Sequence, residues 1–474
     1  MKLKLLLILL LASQICCVSG TDVKNVILLI GDGMGFPQMH VTKIVHKNLT
    51  MEEFNWTFVG YELTDSLSGE VPDSAAAGTA IATGFKTYNG MVSTLALNNR
   101  TINLTTVLEV AKRINKSTGI VTTTKLSDAT PAVFASHVES RKLKHEILKQ
   151  MVGKVDVLLG GGAKEFDLLK KAESCGYEIV YDKRSLENIK CKKLIGLFSQ
   201  SHIPYVLDRD NNTPSLLDMT KKAIGILSKN ENGFFLMIEG GRIDDACHTN
   251  DIASVVAETK EFDDVVRYAV NYAKKGNTLV VVLADHDTGG LAIGTKLGSS
   301  VDVKEILRIN KSVESMAEEV KSGIDVKTVL LKYIGFIPSK DELQKIEESR
   351  GIKYGLVNSI GEIIAKRVGV KFATHEHTGN PVPLMIYSPK KFDFKKFVHH
   401  TETSKEIVNA MLFNLTMAKA DIVLSKVKGD VNGDHIVDKE DAYIILAHVG
   451  EKGYENADMN ENGVIDYEDV LLII

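Results

Sequence analysis

Short apolar runs recur along the chain and alternate with longer amphipathic stretches. Six runs have the length and composition of buried strands: Asn25–Ile30, Gly119–Thr123, Val155–Leu159, Phe234–Ile238, Thr278–Ala284 and Pro383–Tyr387. Apolar residues at helical spacing predict helices between them, including Leu104–Arg113, Ile252–Lys274 and Thr403–Met417. Strands that alternate with helices form parallel sheets with both faces covered. We therefore predict an α/β fold with a mostly parallel central sheet and helices on both faces.

Two segments depart from this alternation. Residues from about 289 to 369 are charged and helix-rich, which indicates an insertion before the last predicted strand. After about Lys426 the composition shifts to Asp, Asn and Gly. We expect a large domain over residues 21–426 and a second, small α-helical module over residues 427–474.

The N-terminal segment has the pattern of a secretory signal peptide. Lys2 and Lys4 precede an apolar run, and the small residues Ser19 and Gly20 follow it. The alternative is an uncleaved anchor helix, but the run is short for a bilayer span. We expect cleavage after residue 20 and a secreted protein, extracellular or cell-surface associated, with no membrane span after cleavage.

The net charge bears on the class of binding partner, and the cysteines bear on whether disulfides form. The formal net charge of -4 gives no excess of basic residues, so bulk charge does not suggest nucleic acid as a partner. Of the five cysteines, Cys16 and Cys17 leave with the signal peptide. Cys175 and Cys191 flank a loop-like segment and are a candidate disulfide in an exported protein. Cys247 is expected to be a buried free thiol.

Acidic residues follow three of the predicted strands. Asp32 comes after the first strand, Glu239 after the fourth and Asp285 after the fifth. Each one alone fits a turn or a helix cap. Because the carboxyl ends of parallel strands share one edge, the three carboxylates would repel each other there unless a cation neutralised them.

Histidines accompany these acids. Asp244 and His248 are four residues apart on a predicted helix, so both can face one ion. His286 follows Asp285 directly, and His377 lies just before the last strand. Mixed imidazole and carboxylate ligands suit zinc, whereas oxygen ligands alone suit magnesium. The spacing predicts a hydrolase with two or three metal ions.

A nucleophile and an anion clamp can also be proposed. Ser74 starts a helix of small residues, where it could attack a phosphate held at the helix N-terminus. The alternative is that Asp73 or Ser74 only caps that helix. Arg141 could hold two phosphoryl oxygens with its planar guanidinium, as opposed to being an ordinary surface arginine.

Together these motifs resemble the alkaline phosphatase family, in family order and over residues 25 to 390. The matching pieces are Gly31–Gly35, Asp73–Ala76, Asp128–Pro131 with Arg141, Glu239–His248, Asp285–His286 and Glu376–Gly379. The resemblance implies a secreted alkaline phosphatase that hydrolyses phosphate monoesters. Ser74 would form a phosphoserine intermediate, and Arg141 would hold the phosphate.

The resemblance also implies the ligands of two zinc ions and one magnesium ion. Asp244, His248 and His377 would bind the first zinc, and Asp32, Asp285 and His286, with Ser74, the second. Asp32, Thr130 and Glu239 would bind magnesium. Asp128 and Asp245 would lie around this third site. Family members commonly place lysine, histidine or tryptophan at the position of Asp245, so the ion preferred at the third site stays open.

Two rival functions remain to be weighed. The first keeps the fold and hydrolyses phosphodiesters, phosphonates or sulfate esters; Ser74 together with Glu239 and Thr130 argues against it. The second is a non-catalytic scaffold or adhesion protein. The presence of Ser74, Arg141 and the metal ligands argues against that alternative.

The C-terminal module contains two loops with the spacing of calcium ligands. The expected ligands are Asp430, Asn432, Asp434, Ile436, Asp438 and Asp441 in the first loop, and Asp458, Asn460, Asn462, Val464, Asp466 and Asp469 in the second. The pair resembles a dockerin, which implies two calcium ions and a cohesin-like protein partner. A homodimer is a candidate assembly that the sequence does not decide.

Overall fold

The computed structural model describes residues 23–97, 100–388 and 398–412, together with Gly429, Val431, Asp441, Ile445 and residues 457–459. The predicted signal peptide, residues 1–20, lies outside the described residues. Among the helices of the described part, none is both long enough and apolar enough to cross a membrane.

The secondary structure alternates between strands and helices, as predicted. The strands are β1 (Asn25–Ile30), β2 (Phe58–Leu63), β3 (Thr94–Leu97), β4 (Arg100–Asn103), β5 (Ser117–Lys125), β6 (Val157–Gly161), β7 (Glu178–Val180), β8 (Leu194–Leu197), β9 (Phe234–Glu239), β10 (Thr278–Leu283), β11 (Asp287–Thr288), β12 (Leu291–Ile293), β13 (Val370–Phe372), β14 (His377–Thr378), β15 (Val382–Tyr387) and β16 (Val398–His399). The α-helices are α1 (Phe36–His46), α2 (Thr50–Glu53), α3 (Ser74–Thr83), α4 (Val107–Arg113), α5 (Ala129–Val133), α6 (Lys144–Met151), α7 (Leu169–Ser174), α8 (Lys183–Asn188), α9 (Leu216–Leu227), α10 (Arg242–His248), α11 (Ile252–Ala273), α12 (Val303–Arg308), α13 (Val313–Lys321), α14 (Val326–Ile334), α15 (Lys340–Ser349), α16 (Gly355–Arg367) and α17 (His400–Leu412).

The central sheet of the described residues has ten strands in the order β16-β2-β15-β10-β1-β9-β5-β6-β8-β7. From β10 to β7 all neighbours are parallel, whereas β15 is antiparallel to both β10 and β2. All six predicted strands belong to this sheet. The prediction of a mostly parallel sheet covered on both faces is confirmed.

The apolar runs are continuous because both faces of the sheet are buried. In β1, Ile27 and Leu29 belong to a core that includes α9 and α11. Leu28 and Ile30 belong to the core on the opposite face, which includes residues of α4 and α17. The predicted insertion forms α12–α16, and its apolar residues join the Ile27 core.

Strand β2 was not predicted, because its hydrophobic pattern is inverted. Val59, Tyr61 and Leu63 are exposed, whereas Glu62 is completely buried. A strand whose apolar side chains face solvent and whose acid faces the interior carries no signal of a buried sheet.

The predicted disulfide is wrong: Cys175 and Cys191 are both free thiols. Cys175 packs against the core on the Leu28 face of the sheet, and Cys191 packs against the core on the Ile27 face. The sheet therefore separates two residues that must approach within a few ångströms to pair. Cys247 is a buried free thiol, as expected.

Candidate metal centre and active site

The strand register brings the three predicted acids to one edge of the sheet. Ile30 at the end of β1 pairs with Leu283 of β10 on one side and with Glu239 of β9 on the other. Asp32 and Asp285 follow directly, and both side chains are buried beside Glu239. The edge predicted to hold ligands therefore gathers carboxylates from three adjacent strands.

His377 reaches the same edge from the opposite chain direction. Because β15 is antiparallel to β10, its first residues lie beside the carboxyl end of β10. The short strand β14 pairs with β11, with His377 opposite Thr288. Because β15 runs in the opposite direction to β10, His377, which precedes β15, lies beside Asp32, Glu239 and Asp285, which lie at or just beyond the ends of the parallel strands.

The first ligand cluster consists of Asp32, Asp285 and His286, with Ser74 beside it. His286 Nε2 lies 3.2 Å from Asp285 Oδ2 and 3.6 Å from Asp32 Oδ1. The Ser74 hydroxyl lies 3.2 Å from the same nitrogen. This is the arrangement predicted for the second zinc and the nucleophile.

The second cluster surrounds Asp244. Its Oδ2 lies 3.2 Å from His248 Nε2, and its Oδ1 lies 3.7 Å from His377 Nε2. The His377 ring also stacks on His286, with 3.6 Å between ring centroids. The two clusters are therefore contiguous, as a two-ion site requires.

Hydrogen bonds fix the tautomer of all three histidines. Nδ1 of His248 contacts the carbonyl oxygen of His375 at 2.5 Å, and Nδ1 of His377 contacts that of Pro72 at 2.8 Å. A carbonyl only accepts, so both Nδ1 atoms carry the proton.

A hydroxyl group fixes the tautomer of the third histidine, His286, in the same way. Thr288 donates its hydroxyl proton to Asp244 Oδ1 at 2.5 Å and must therefore accept from His286 Nδ1 at 3.2 Å. In the neutral form of each ring the lone pair is therefore on Nε2, which faces the carboxylates. Such bonds to the second ring nitrogen orient histidines that bind metals.

The third predicted site also assembles. Thr130 donates to Asp32 Oδ2 at 3.3 Å, and Glu239 lies in the same buried group. Glu239 Oε2 accepts from Thr122 and, at 3.1 Å, from Thr124. These two threonines were not predicted, since no motif marks them. The side-chain atoms that would bind an ion at this third site are all oxygens, which suits magnesium.

The electrostatics of the acids fit bound cations. Burial, followed by repulsion from neighbouring carboxylates, raises the pKa of Asp32 well above its usual value and that of Asp285 to about 6. Burial raises the pKa of Glu239 to about 7. Asp32 Oδ1 and Asp285 Oδ2 are buried without a hydrogen-bond partner. Unpartnered buried oxygens beside histidine lone pairs are the donor set expected for zinc.

Asp244 is held ionised by its surroundings. Burial alone would raise its pKa, but the adjacent His248 and His377 rings lower it strongly. It therefore offers a carboxylate ligand at neutral pH.

Ser74 is the first residue of α3, and the cap of that helix is tied to Arg141. The Asp73 carboxylate accepts from the amide of Ala76 at 3.0 Å, and Arg141 donates to it at 3.0 Å. A second amino group of Arg141 donates to Asp128 at 3.3 Å. The helix N-terminus, the serine and the guanidinium thus meet where an anion would bind.

Asp128 and Asp245 both lie next to basic side chains that sequence reasoning missed. Lys144 Nζ lies 3.5 Å from Asp128 Oδ1. His202 stands between the two acids, with Nε2 3.8 Å from Asp128 and Nδ1 3.7 Å from Asp245. His202 belongs to a loop about 70 residues beyond Asp128, so no local pattern could have found it.

Asp245 is further paired with Arg242 of the same helix, at 2.6 Å. Arg242 stacks on Tyr205, 3.6 Å from the ring centroid, and also bonds Glu314 of the inserted helix α13. Asp245 is therefore paired with the Arg242 guanidinium, and the same guanidinium links it to Glu314 in the insertion.

Of the expected calcium ligands, only Asp441 and Asp458 belong to the described residues. Asp441 is buried and accepts from the amide of Val431 at 2.8 Å. The remaining ten lie outside the described residues: Asp430, Asn432, Asp434, Ile436, Asp438, Asn460, Asn462, Val464, Asp466 and Asp469.

Comparisons with known proteins agree with this geometry. Residues 23–415 match the family model of alkaline phosphatase, and residues 428–474 match that of the dockerin type I domain. Alkaline phosphatase 3 of Bacillus subtilis is 37% identical over 419 residues, covering 83% of this chain and 90% of the relative.

Solved structures show the same relationship. The cold-active alkaline phosphatase of Shewanella sp. is 34% identical with a TM-score of 0.74, covering 82% of this chain and 99% of that one. A mutant of the alkaline phosphatase of the Antarctic bacterium TAB5, described with bound magnesium, is 27% identical with a TM-score of 0.62, covering 83% and 99%. The chain therefore belongs to the alkaline phosphatase family of metal-binding phosphatases and carries a C-terminal dockerin domain.

Proposed function

We propose that this chain is an exported alkaline phosphatase that hydrolyses phosphate monoesters through a phosphoserine on Ser74. The observation that carries the proposal is the position of the Ser74 hydroxyl. It lies at the N-terminus of α3 and 3.2 Å from His286 Nε2, beside unpartnered buried oxygens of Asp32 and Asp285.

The residues present fit two zinc ions and one magnesium ion. Asp244, His248 and His377 would hold the first zinc, and Asp32, Asp285 and His286 the second. Asp32, Thr130 and Glu239 would hold magnesium, which agrees with the magnesium described for the TAB5 mutant. Bound zinc would supply a Lewis acid that lowers the pKa of a serine hydroxyl and of water.

The protein's own groups account for substrate binding and for the covalent steps. The amides at the start of α3 and the guanidinium of Arg141 bind the phosphoryl oxygens. The Ser74 hydroxyl loses its proton as its oxygen attacks phosphorus. The bond from phosphorus to the alcohol oxygen breaks, and the alcohol leaves after taking up a proton. Water then attacks the phosphoserine, the bond from phosphorus to Ser74 Oγ breaks, and inorganic phosphate leaves.

Ser74→Ala tests the mechanism. The variant should retain its zinc while turnover of p-nitrophenyl phosphate falls by about 10³-fold or more, because the nucleophile is absent and the ligands remain. The measurement is metal content by mass spectrometry beside the rate. Wild-type turnover in this variant would exclude the serine route. Faster wild-type hydrolysis of a phosphodiester or sulfate ester than of the monoester would favour the first rival function.

We further propose the following organisation. Residues 1–20 are removed on export, residues 21–426 form the catalytic domain, and residues 427–474 bind two calcium ions and attach the enzyme to a cohesin-like protein. The bond from the Val431 amide to Asp441 supports closure of the first calcium loop, because it joins the second and twelfth positions. A homodimer stays a prediction.

A further inference from the structure

A buried pair of titratable side chains lies behind the proposed second zinc site. Glu62 of β2 and His400, the first residue of α17, are both completely shielded from solvent. His400 Nδ1 lies 3.0 Å from Glu62 Oε2, and His400 Nε2 lies 2.7 Å from the carbonyl oxygen of Asp285. Neither residue belongs to the sequence motifs described above.

The hydrogen bond between His400 and Asp285 has one possible direction. The carbonyl of Asp285 only accepts, so His400 Nε2 donates to it. Glu62 Oε2 lies against the other ring nitrogen, and Glu62 Oε1 accepts from Thr403, one turn along α17. Both carboxylate oxygens are therefore engaged. Burying a carboxylate costs several kcal/mol unless its oxygens are paired, which explains why two side chains of one helix converge on it.

The Glu62–His400 pair connects strand β2 and helix α17 to Asp285, just beyond the end of β10. Asp285 lies two residues beyond the end of β10. In the sheet, β15 lies between β10 and β2, and α17 begins directly after β16. The Asp285 carboxylate is fixed by the amides of Gly33 and His286, which donate to Oδ1 at 3.1 and 2.9 Å. His400 fixes the carbonyl of the same residue. Together these bonds leave Oδ2 aimed at His286 Nε2.

We propose that His400, oriented by Glu62, is a positioning residue for the Asp32–Asp285–His286 metal site. The proposal rests on the proposed function in that zinc is the ion. Bonds one step behind the ligands govern how tightly a metal is held, and their loss costs about 10- to 100-fold in affinity.

Two amide substitutions separate the two bonds of His400. In His400→Gln the amide nitrogen occupies the place of Nε2 and can still donate to Asp285. In His400→Asn the amide nitrogen occupies the place of Nδ1 and reaches only Glu62. Both side chains are polar and smaller than or similar to histidine, so both variants face a similar folding cost.

Zinc affinity of the full-length protein, measured by competition with a chromogenic chelator, provides the readout. His400→Asn should weaken the binding of one of the two zinc ions by about 10- to 100-fold and leave the other unchanged, and His400→Gln should restore most of that loss. His399→Asn is the matched control, because the adjacent His399 bonds the backbone of Asp65 and of Thr401 and no metal ligand. The control should bind zinc like the wild type.

The outcomes separate the two proposals. Equal zinc affinity in wild type, His400→Asn and His400→Gln would overturn the positioning role, as would equal weakening in both variants. If the wild type bound no zinc, the proposed function itself would fail.

Discussion

At the scale of single residues, two buried acids at the sheet edge are only partly satisfied by the protein. Asp32 and Asp285 each leave one oxygen unpartnered, and the histidine rings beside them present lone pairs. Arg141, in contrast, has charged protein partners: Asp73 and Asp128 each accept a hydrogen bond from its guanidinium. These two acids hold the guanidinium in place and leave its remaining N–H groups for a phosphate.

Arg141→Ala should therefore weaken phosphate binding by about 1–3 kcal/mol, the range for a charge-assisted hydrogen bond. The inhibition constant of inorganic phosphate measures the loss. Arg141→Lys keeps the charge without the planar fork and should lie between the alanine variant and wild type. An unchanged inhibition constant in Arg141→Ala would show that another group binds the phosphate.

At the scale of elements, the direction of one strand and the start of one helix build the site. The antiparallel β15 delivers His377 to the edge where β1, β9 and β10 end. Helix α3 begins at Ser74, and its cap Asp73 satisfies the amide of Ala76. The nucleophile is thus held by a helix terminus whose stability can be measured separately.

Asp73→Ala should lower the free energy of unfolding by about 1 kcal/mol, because the cap is lost. Asp73→Asn should keep most of that stability, since an asparagine oxygen caps a helix equally well. Denaturant unfolding of the metal-loaded protein compares the two. Equal destabilisation in both variants would mean that the charge toward Arg141, not the cap, is the important contribution of Asp73.

For the whole molecule, the crowded acids link stability to metal and pH. In the metal-free fold Glu239 keeps its proton up to about pH 7, whereas an ordinary glutamate loses it near pH 4.5. Between these values the folded state binds more protons than the unfolded state, so the free energy of unfolding falls as pH rises. Bound cations remove this penalty because they stabilise the carboxylates.

Melting temperatures of the chelated and the metal-loaded protein should therefore diverge as pH rises from 5 to about 7. Glu258, whose pKa is also raised to about 7 by burial, affects both forms alike and cancels in the comparison. Glu239→Gln should reduce the divergence. Parallel curves for the two forms would contradict a cation at these acids.

The C-terminal module should be separable from catalysis. Removing residues 428–474 should leave turnover of p-nitrophenyl phosphate unchanged, because every proposed catalytic residue precedes residue 378. The full chain should bind about two more calcium ions than the shortened chain in calorimetry. No difference in calcium binding would show that the acidic loops are not calcium sites.

The sheet could be predicted from the sequence alone, and so could the grouping of most of the candidate site residues at one edge of it. Continuous apolar runs marked strands buried on both faces, and the acids after them marked one edge, because strand direction and residue order are local properties of the chain. The motifs around Ser74, Asp244 and His286 carried the ligands for the same reason. Within the described catalytic part, the structure brings Asp32, Asp285 and His286 together, and it places Asp244 beside His248 and His377.

Contacts between residues that are distant in the chain became apparent only in the folded structure. It separated Cys175 from Cys191 by the sheet, brought His202 between Asp128 and Asp245, and buried Glu62 against His400. The inverted pattern of β2 concealed Glu62, since exposed apolar side chains gave no periodic signal. Contacts between residues tens to hundreds of positions apart depend on packing and strand order, which no local pattern of side chains records.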